Sequence, residues 1–348
     1  MSIDARLAFT FLASMLLIPQ AWSQQQTSQA IQPGDSRIYL DAVVTPKSGS
    51  PPVSGLQQQD FTILDNKVRQ PITSFHAFGG SDAPVEVILV VDGVNTTYQT
   101  VAYERGQIES FLRANGGHLA HPTTLAIVTD TDTKIQEGFS TDGNVLSGAL
   151  ENYVVALRVI NRSSGFYGAT ERFQVSLQAL QSLAAREAAR PGRKIILWVS
   201  PGWPLLSGPG VQLDPKQQQQ LFGAIVNLST QLRQARVTLY SIDPRGTSDI
   251  GINTFYYQNF VKGVRKPNQV SVGNLGLQVI ATQTGGLALN SSNDIATLLE
   301  KCVADTESYY ELSFDPTPGE HDEYHQLEVQ VAKPGLVVRT RQGYYSQP

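Results

Sequence analysis

The run Val85-Glu-Val-Ile-Leu-Val-Val91 holds one polar side chain among seven residues and stops abruptly on Asp92. A strand of that make-up has no face to offer water, so it must be covered on both sides. That is the condition of a central strand in a parallel sheet flanked by helices. The chain beyond it fits the same requirement. Helical periodicity is expected over about 101–113, then strands over 124–129 and 134–139, a short helix entered through Ser140-Thr-Asp142, and a long helix over 169–189. Strands over 194–199, 237–242 and 287–289 follow, interleaved with helices over 215–234, 274–284 and 293–304. Crossovers of that length join parallel strands by right-handed β-α-β units, which predicts an α/β fold with a doubly wound, mostly parallel sheet. The segment 243–272 has no period and reads as a long loop of the kind that tends to be functional or mobile.

The flanks differ. Arg37-Ile-Tyr-Leu-Asp-Ala-Val-Val44, residues 60–64 and 70–78, and then 309–314, 324–331 and 336–341 alternate apolar with polar side chains, the mark of half-buried strands. Neither flank can bury a core alone. The expectation is therefore an N-terminal β segment, 36–80, paired with a C-terminal one, 307–348, in a small sandwich or sheet beside an α/β domain spanning 84–306.

Residues 1–23 read as an export signal: Arg6, then an apolar run from Leu7 to Ile18, then Ala21-Trp-Ser23 as a small-x-small cleavage site. Twelve apolar residues are too few to span a bilayer as a helix. Cleavage after Ser23 leaves a Gln-rich linker, 24–35, and a secreted or periplasmic protein with no stable membrane insertion. The net charge of −4 and the lack of a basic stripe argue against nucleic acid as a partner. The one local cluster, Arg186, Arg190, Arg193 and Lys194, lies near a helix end, where cations complement the dipole. Cys302 is the sole cysteine, so no internal disulfide can form; its place among Leu298, Leu299 and Val303 marks a buried, inert thiol.

Several motifs occur together: Gly55-Leu-x-x-x-Asp60-Phe61, Asp92-x-x-Asn95-Thr96, Trp198-x-Ser200-x-Gly202, Val237-x-x-Tyr240-x-x-Asp243, Thr284-Gly-Gly286, Ser308-Tyr-Tyr310 and Gly343-Tyr-Tyr345. In this order they resemble the VWFA-related domain proteins of acidobacteria, over about residues 36–346. The resemblance implies a von Willebrand factor A core between β segments. It also implies a metal-ion-dependent adhesion site at the carboxyl ends of the strands, where ligands gather beside the switch in strand order. Mapped onto this chain, Asp92 keeps the first acid and Thr96 one hydroxyl, and Ser164 corresponds best to the loop threonine. Val94 replaces a serine, and Pro201 stands where the acid after the fourth strand should be. One negative ligand is a poor basis for Mg²⁺ or Ca²⁺. The site is therefore expected to be degenerate, with Asp92 and Thr96 satisfying backbone N–H groups at the strand end and capping the next helix.

Other chemistry fares no better. His321-Asp-Glu323-Tyr-His325 places its acid one position late for a zinc-binding helix, and in an extended hairpin its histidines stand about 13 Å apart. Trp198-Val-Ser200-Pro-Gly202 lacks the first glycine of a nucleophile elbow, and Pro201 has no N–H for an oxyanion. The remaining candidates are apolar: Trp203, Phe166, Tyr167 and Tyr256, with Asn95, form an expected recognition patch on the loop face. The reading is a secreted, non-enzymatic module that binds an unknown protein partner or serves in assembly, without a cofactor. Divalent-cation-dependent adhesion through Asp92, Thr96 and Ser164 is the alternative, and a hydrolase is remote.

Overall fold

The computed structural model describes residues 36–49, 51–80, 83–154, 165–204, 212–246, 255–316 and 319–347. The signal, the linker and Ser164 lie outside these residues, and so does the side chain of Phe166.

The N-terminal flank supplies β1 (Ile38–Pro46), β2 (Phe61–Asp65), β3 (Val68–Gln70) and β4 (Ser74–Gly79). The α/β domain follows: β5 (Val85–Asp92), α1 (Tyr98–Arg113), β6 (His118–Val128), β7 (Thr133–Ile135), β8 (Ser140–Asp142), α2 (Gly143–Val154) and α3 (Gly165–Glu187). It continues with β9 (Arg193–Val199), α4 (Pro215–Gln234), β10 (Val237–Ile242), α5 (Leu277–Gln283), β11 (Ala288–Leu289) and α6 (Ile295–Ala304). The C-terminal flank adds β12 (Ser308–Phe314), β13 (Tyr324–Val331), β14 (Leu336–Arg339) and β15 (Gly343–Tyr345).

The central sheet runs β11-β10-β9-β5-β6-β7. Its pairings are parallel except at the β7 edge, and β8 joins β6 antiparallel. The first strand of the domain thus lies inside the sheet, with the chain winding away on both sides. With its antiparallel edge, this is a von Willebrand factor A-like doubly wound fold. One apolar core joins α1, α2 and α6 to one face; another joins α3, α4 and α5 to the other. β5 is sandwiched between them, which is why its sequence is apolar on both faces.

Local chemistry fixes the element ends. Asp214 caps α4 in a reciprocal box with Gln217, and Pro215 occupies the first turn. Thr97, rather than Asp92 or Thr96, caps α1 by accepting from Thr100 N at 3.2 Å. The expected helix start at Ser140-Thr-Asp142 is strand β8 instead, because those residues pair with His118–Thr123 before the chain turns into α2.

The flanks build two four-stranded sheets, β14-β1-β12-β4 and β15-β13-β2-β3. Each mixes strands from both ends of the chain. They enclose a third core containing Leu40, Val44, Phe61, Ile63, Leu312 and Leu327. The two tyrosine pairs fasten this sandwich to the α/β domain. In β12, Tyr309 enters the core beneath α1 and α6, while Tyr310 points into the sandwich and donates to Val53 O at 2.8 Å. In β15, Tyr344 faces the sandwich and Tyr345 the core beneath α4, donating to Val264 O at 3.0 Å. Strand alternation sends neighbouring side chains to opposite faces, so a Tyr-Tyr pair can serve two cores at once. Gly285 and Gly286 allow the turn after α5 to lie against its neighbours. A Cβ on Gly286 would meet Leu239 O at 1.8 Å, and Gly285 has φ +89°.

Candidate functional site

Asp92 ends β5 at the carboxyl edge of the sheet, between β6 and β9. Parallel register places Trp198 beside Val90, and alternation then brings Trp198 and Ser200 to the face on which Asp92 lies. The carboxylate is 0% exposed and accepts five hydrogen bonds. Oδ1 receives Val94 N at 2.9 Å and Asn95 N at 3.0 Å. Oδ2 receives Asn95 Nδ2 at 2.8 Å, Trp198 Nε1 at 3.1 Å and Ser200 Oγ at 2.8 Å. A carboxylate has about four lone-pair positions, so this one is saturated by protein donors.

The other mapped positions among the described residues are engaged within the protein. Thr96 is buried and donates to Glu104 Oε1 at 3.0 Å. Val94 is part of the core shared with α3, α4 and α5. At the strand-four position, the Pro201 carbonyl accepts from Arg245 Nη2 at 2.9 Å, and the same guanidinium pairs with Asp243. A guanidinium thus stands where the family's pattern has a metal-binding acid. A Mg²⁺-type ion needs about six oxygen ligands with free lone pairs. These residues do not fit one.

Glu104, on α1, is the most perturbed group here. Burial pushes its carboxyl up to about 8, against the hydrogen bond from Thr96; the charges of Asp92 and Asp243 push it the same way. Its Oε2 has no partner among the described residues. Sequence reading missed Glu104. An acid seven residues into a helix looks like solvated surface, and only the burial of that turn reveals otherwise.

The recognition patch needs correction. Trp203 is 3% exposed and packs edge-on against Trp198 at 5.3 Å and Phe173 at 6.4 Å, so it belongs to the core. Asn95 is turned inward: its amide nitrogen bridges Asp92 and Ser176 Oγ on α3. Tyr256 is half-buried against Phe260. Tyr167, at the start of α3, is 85% exposed, and Phe255, on the chain after β10, is 55% exposed.

Elsewhere, Ser200 Oγ donates to Asp92 and accepts from Gly202 N. His321 is exposed beside Asp322. His325 is buried in β13, with Nδ1 2.9 Å from Asp65 Oδ1 and its ring stacked on Tyr344, so the two histidines do not converge. Among the described residues no cluster of three His, Cys, Asp or Glu could hold a metal. The basic cluster near α3 is spent internally: Arg190 pairs with Glu86, Arg193 lies over the Tyr309 ring, and Lys194 Nζ donates to the Gly192 carbonyl. Cys302 is buried, and burial raises its thiol well above the ordinary range.

No family model and no curated protein matches the chain. Among solved structures, it is similar to the human COPII-coat protein Sec24c at 9% identity and a TM-score of 0.36, covering 78% of this chain and 46% of that one. The manganese-loaded TRAP protein of Plasmodium vivax has 13% identity and a TM-score of 0.34, covering 77% and 97%. The pilus adhesin SpaC of Lactobacillus rhamnosus GG has 8% identity and a TM-score of 0.39, covering 85% and 49%. The chain thus spans about half the length of Sec24c and of SpaC. At these values the likenesses carry no function across, and the fold stands on the strand order above.

Proposed function

We propose that the chain is an exported, non-enzymatic module for protein binding or assembly, working through the loop face of its A-type domain without a divalent ion. One observation carries this reading. Both oxygens of Asp92 are bonded by five protein donors. Asp92 itself then has no free lone pair with which to hold a metal for a partner's carboxylate. Recognition then falls to side chains that reach solvent, and Tyr167 and Phe255 are large apolar groups that do so. The commitment of Ser200 to Asp92 speaks against a hydrolase. Export rests on residues 1–23, and a place among the VWFA-related acidobacterial proteins rests on the seven motifs. No helix among the described residues is long and apolar enough to cross a membrane.

Site-specific photo-crosslinking tests the loop face. A photoreactive residue at position 167, irradiated in the producing cell, is expected to give a discrete protein adduct that persists in chelator. The same residue in place of Lys333, on the sandwich, is expected to give none. Loss of the adduct in chelator would return the site to metal-dependent adhesion, and equal adducts at both positions would remove the loop face as the binding surface.

A further inference from the structure

Between α4 and α5, near the start of β10, lies a cavity of about 20 Å³. That is room for one water-sized particle. Leu228 and Ile280 contribute apolar wall, and no acidic residue among those described lines it. Ser229 and Gln283, both half-buried, form the walls that reach solvent.

Arg341, between β14 and β15, also lines the cavity and is 7% exposed. Its Nη2 donates to Val237 O at 3.2 Å, the one hydrogen bond its guanidinium makes among the described residues. Thr284, another wall residue, accepts from Leu239 N at 3.0 Å. Residues two apart on a strand direct their backbone groups alike, so Val237 O and Leu239 N share one side of β10. The tip of Arg341, and not only its stem, therefore stands beside the cavity wall. No carboxylate among the described residues pairs with it, and Asp41, which acts on it from a distance, is held by Arg236. Burial, and then the Arg233 charge, pushes the Arg341 guanidinium down to about 10, which leaves it charged at neutral pH. Arg233, in the last turn of α4, adds a second cation whose Nε is buried without a partner among the described residues. Two other polar walls are committed: Asn274 accepts from Ser271 N and donates to Phe260 O, and Gln283 donates to Val261 O. The Ser229 hydroxyl, one turn before Arg233, has no hydrogen-bond partner among the described residues.

We propose that this cavity binds a small monovalent anion, chloride or one of like size, as the counter-ion of Arg341. The Ser229 hydroxyl is a second donor, and Arg233 adds to the positive field. A buried charge is costly unless it is paired, and here the chain supplies no acid to pair it. Water would fit and accept a hydrogen bond, but only an anion neutralises the guanidinium and gains a charge-assisted bond on both sides. The volume excludes sulfate, phosphate and organic carboxylates. The proposal is independent of Asp92 and the loop face.

Titration of the mature protein with chloride, at an ionic strength held constant with gluconate, tests it. Excess broadening of the chloride NMR signal is expected to reveal a saturable site from which bromide displaces chloride and sulfate does not. The melting temperature should rise with chloride, as for a ligand that binds only the folded state. Ser229→Leu fills the cavity while leaving both arginines in place, and should abolish the excess broadening. Because Ser229 lies in a packed helix, Arg233→Gln, at a half-buried position, provides a second variant, expected to weaken chloride severalfold. No excess broadening in the wild type, broadening unchanged in both variants, or displacement by sulfate as effective as by bromide would overturn the proposal.

Discussion

At the scale of single residues, Asp92 organises the strand end by accepting from Trp198 and Ser200 at the end of β9 and from the turn after β5, where Asn95 also donates to Ser176 on α3. Asp92→Ala would leave three buried side-chain donors and two backbone N–H groups without their acceptor. The expected cost is about 3 kcal/mol or more in urea denaturation, because each buried unsatisfied group carries its own desolvation penalty. A loss below about 1 kcal/mol would mean that these bonds are not what holds the turn. Glu104 makes a second prediction. Its folded pKa of about 8 lies above the ordinary 4.5, so the folded state holds the extra proton between those values. Its contribution to stability is complete below pH 4.5 and is lost as pH rises through about 8, at about 1.4 kcal/mol per pKa unit. Melting curves from pH 5 to 9 should fall more steeply for the wild type than for Glu104→Gln, and parallel curves would contradict the shift. The sequence exposed the loss of the metal pattern through Val94 and Pro201. It could not say what surrounds Asp92 and Pro201, because Trp198, Ser200 and Arg245 reach them only through strand register and the loop after β10.

At the scale of elements, periodicity located most of the strands and helices, and it failed where pairing rather than pattern decides. β8 is three residues, Ser140–Asp142, made strand by the neighbouring β6. β15 is likewise short, and its Gly-Tyr-Tyr sequence acquires meaning only when one ring enters each core. Trp203 misled for a related reason. Its position just past a strand on the ligand face suggested an exposed anchor, whereas the turn at Ser200-Pro-Gly202 folds it back over Trp198 and Phe173. Trp203→Ala should therefore cost about 3–5 kcal/mol as a core truncation. A surface anchor would cost under about 0.5 kcal/mol, so chemical denaturation distinguishes the two directly.

At the scale of the whole molecule, the two β flanks meet in one sandwich, and buried ion pairs tie it to the α/β domain. Arg236, in the turn before β10, holds Glu311 at 2.6 Å and Asp41 at 2.5 Å, one acid from each flank. Arg339 of β14 holds Asp305 at 2.6 Å. Arg236→Ala removes the cation shared by two buried carboxylates, and a loss of about 3–5 kcal/mol is expected. Differential scanning calorimetry should show one transition at a lower temperature; two separate transitions in the wild type would make the units independent. The proposed function rests on the satisfied carboxylate of Asp92. The most direct test is calorimetric titration of Mg²⁺, Ca²⁺ and Mn²⁺ into chelator-stripped protein, beside Asp92→Ala. No saturable heat up to millimolar ion is predicted for the wild type. Saturable heat that disappears in Asp92→Ala would contradict it, since the carboxylate would have to release its donors to bind the ion.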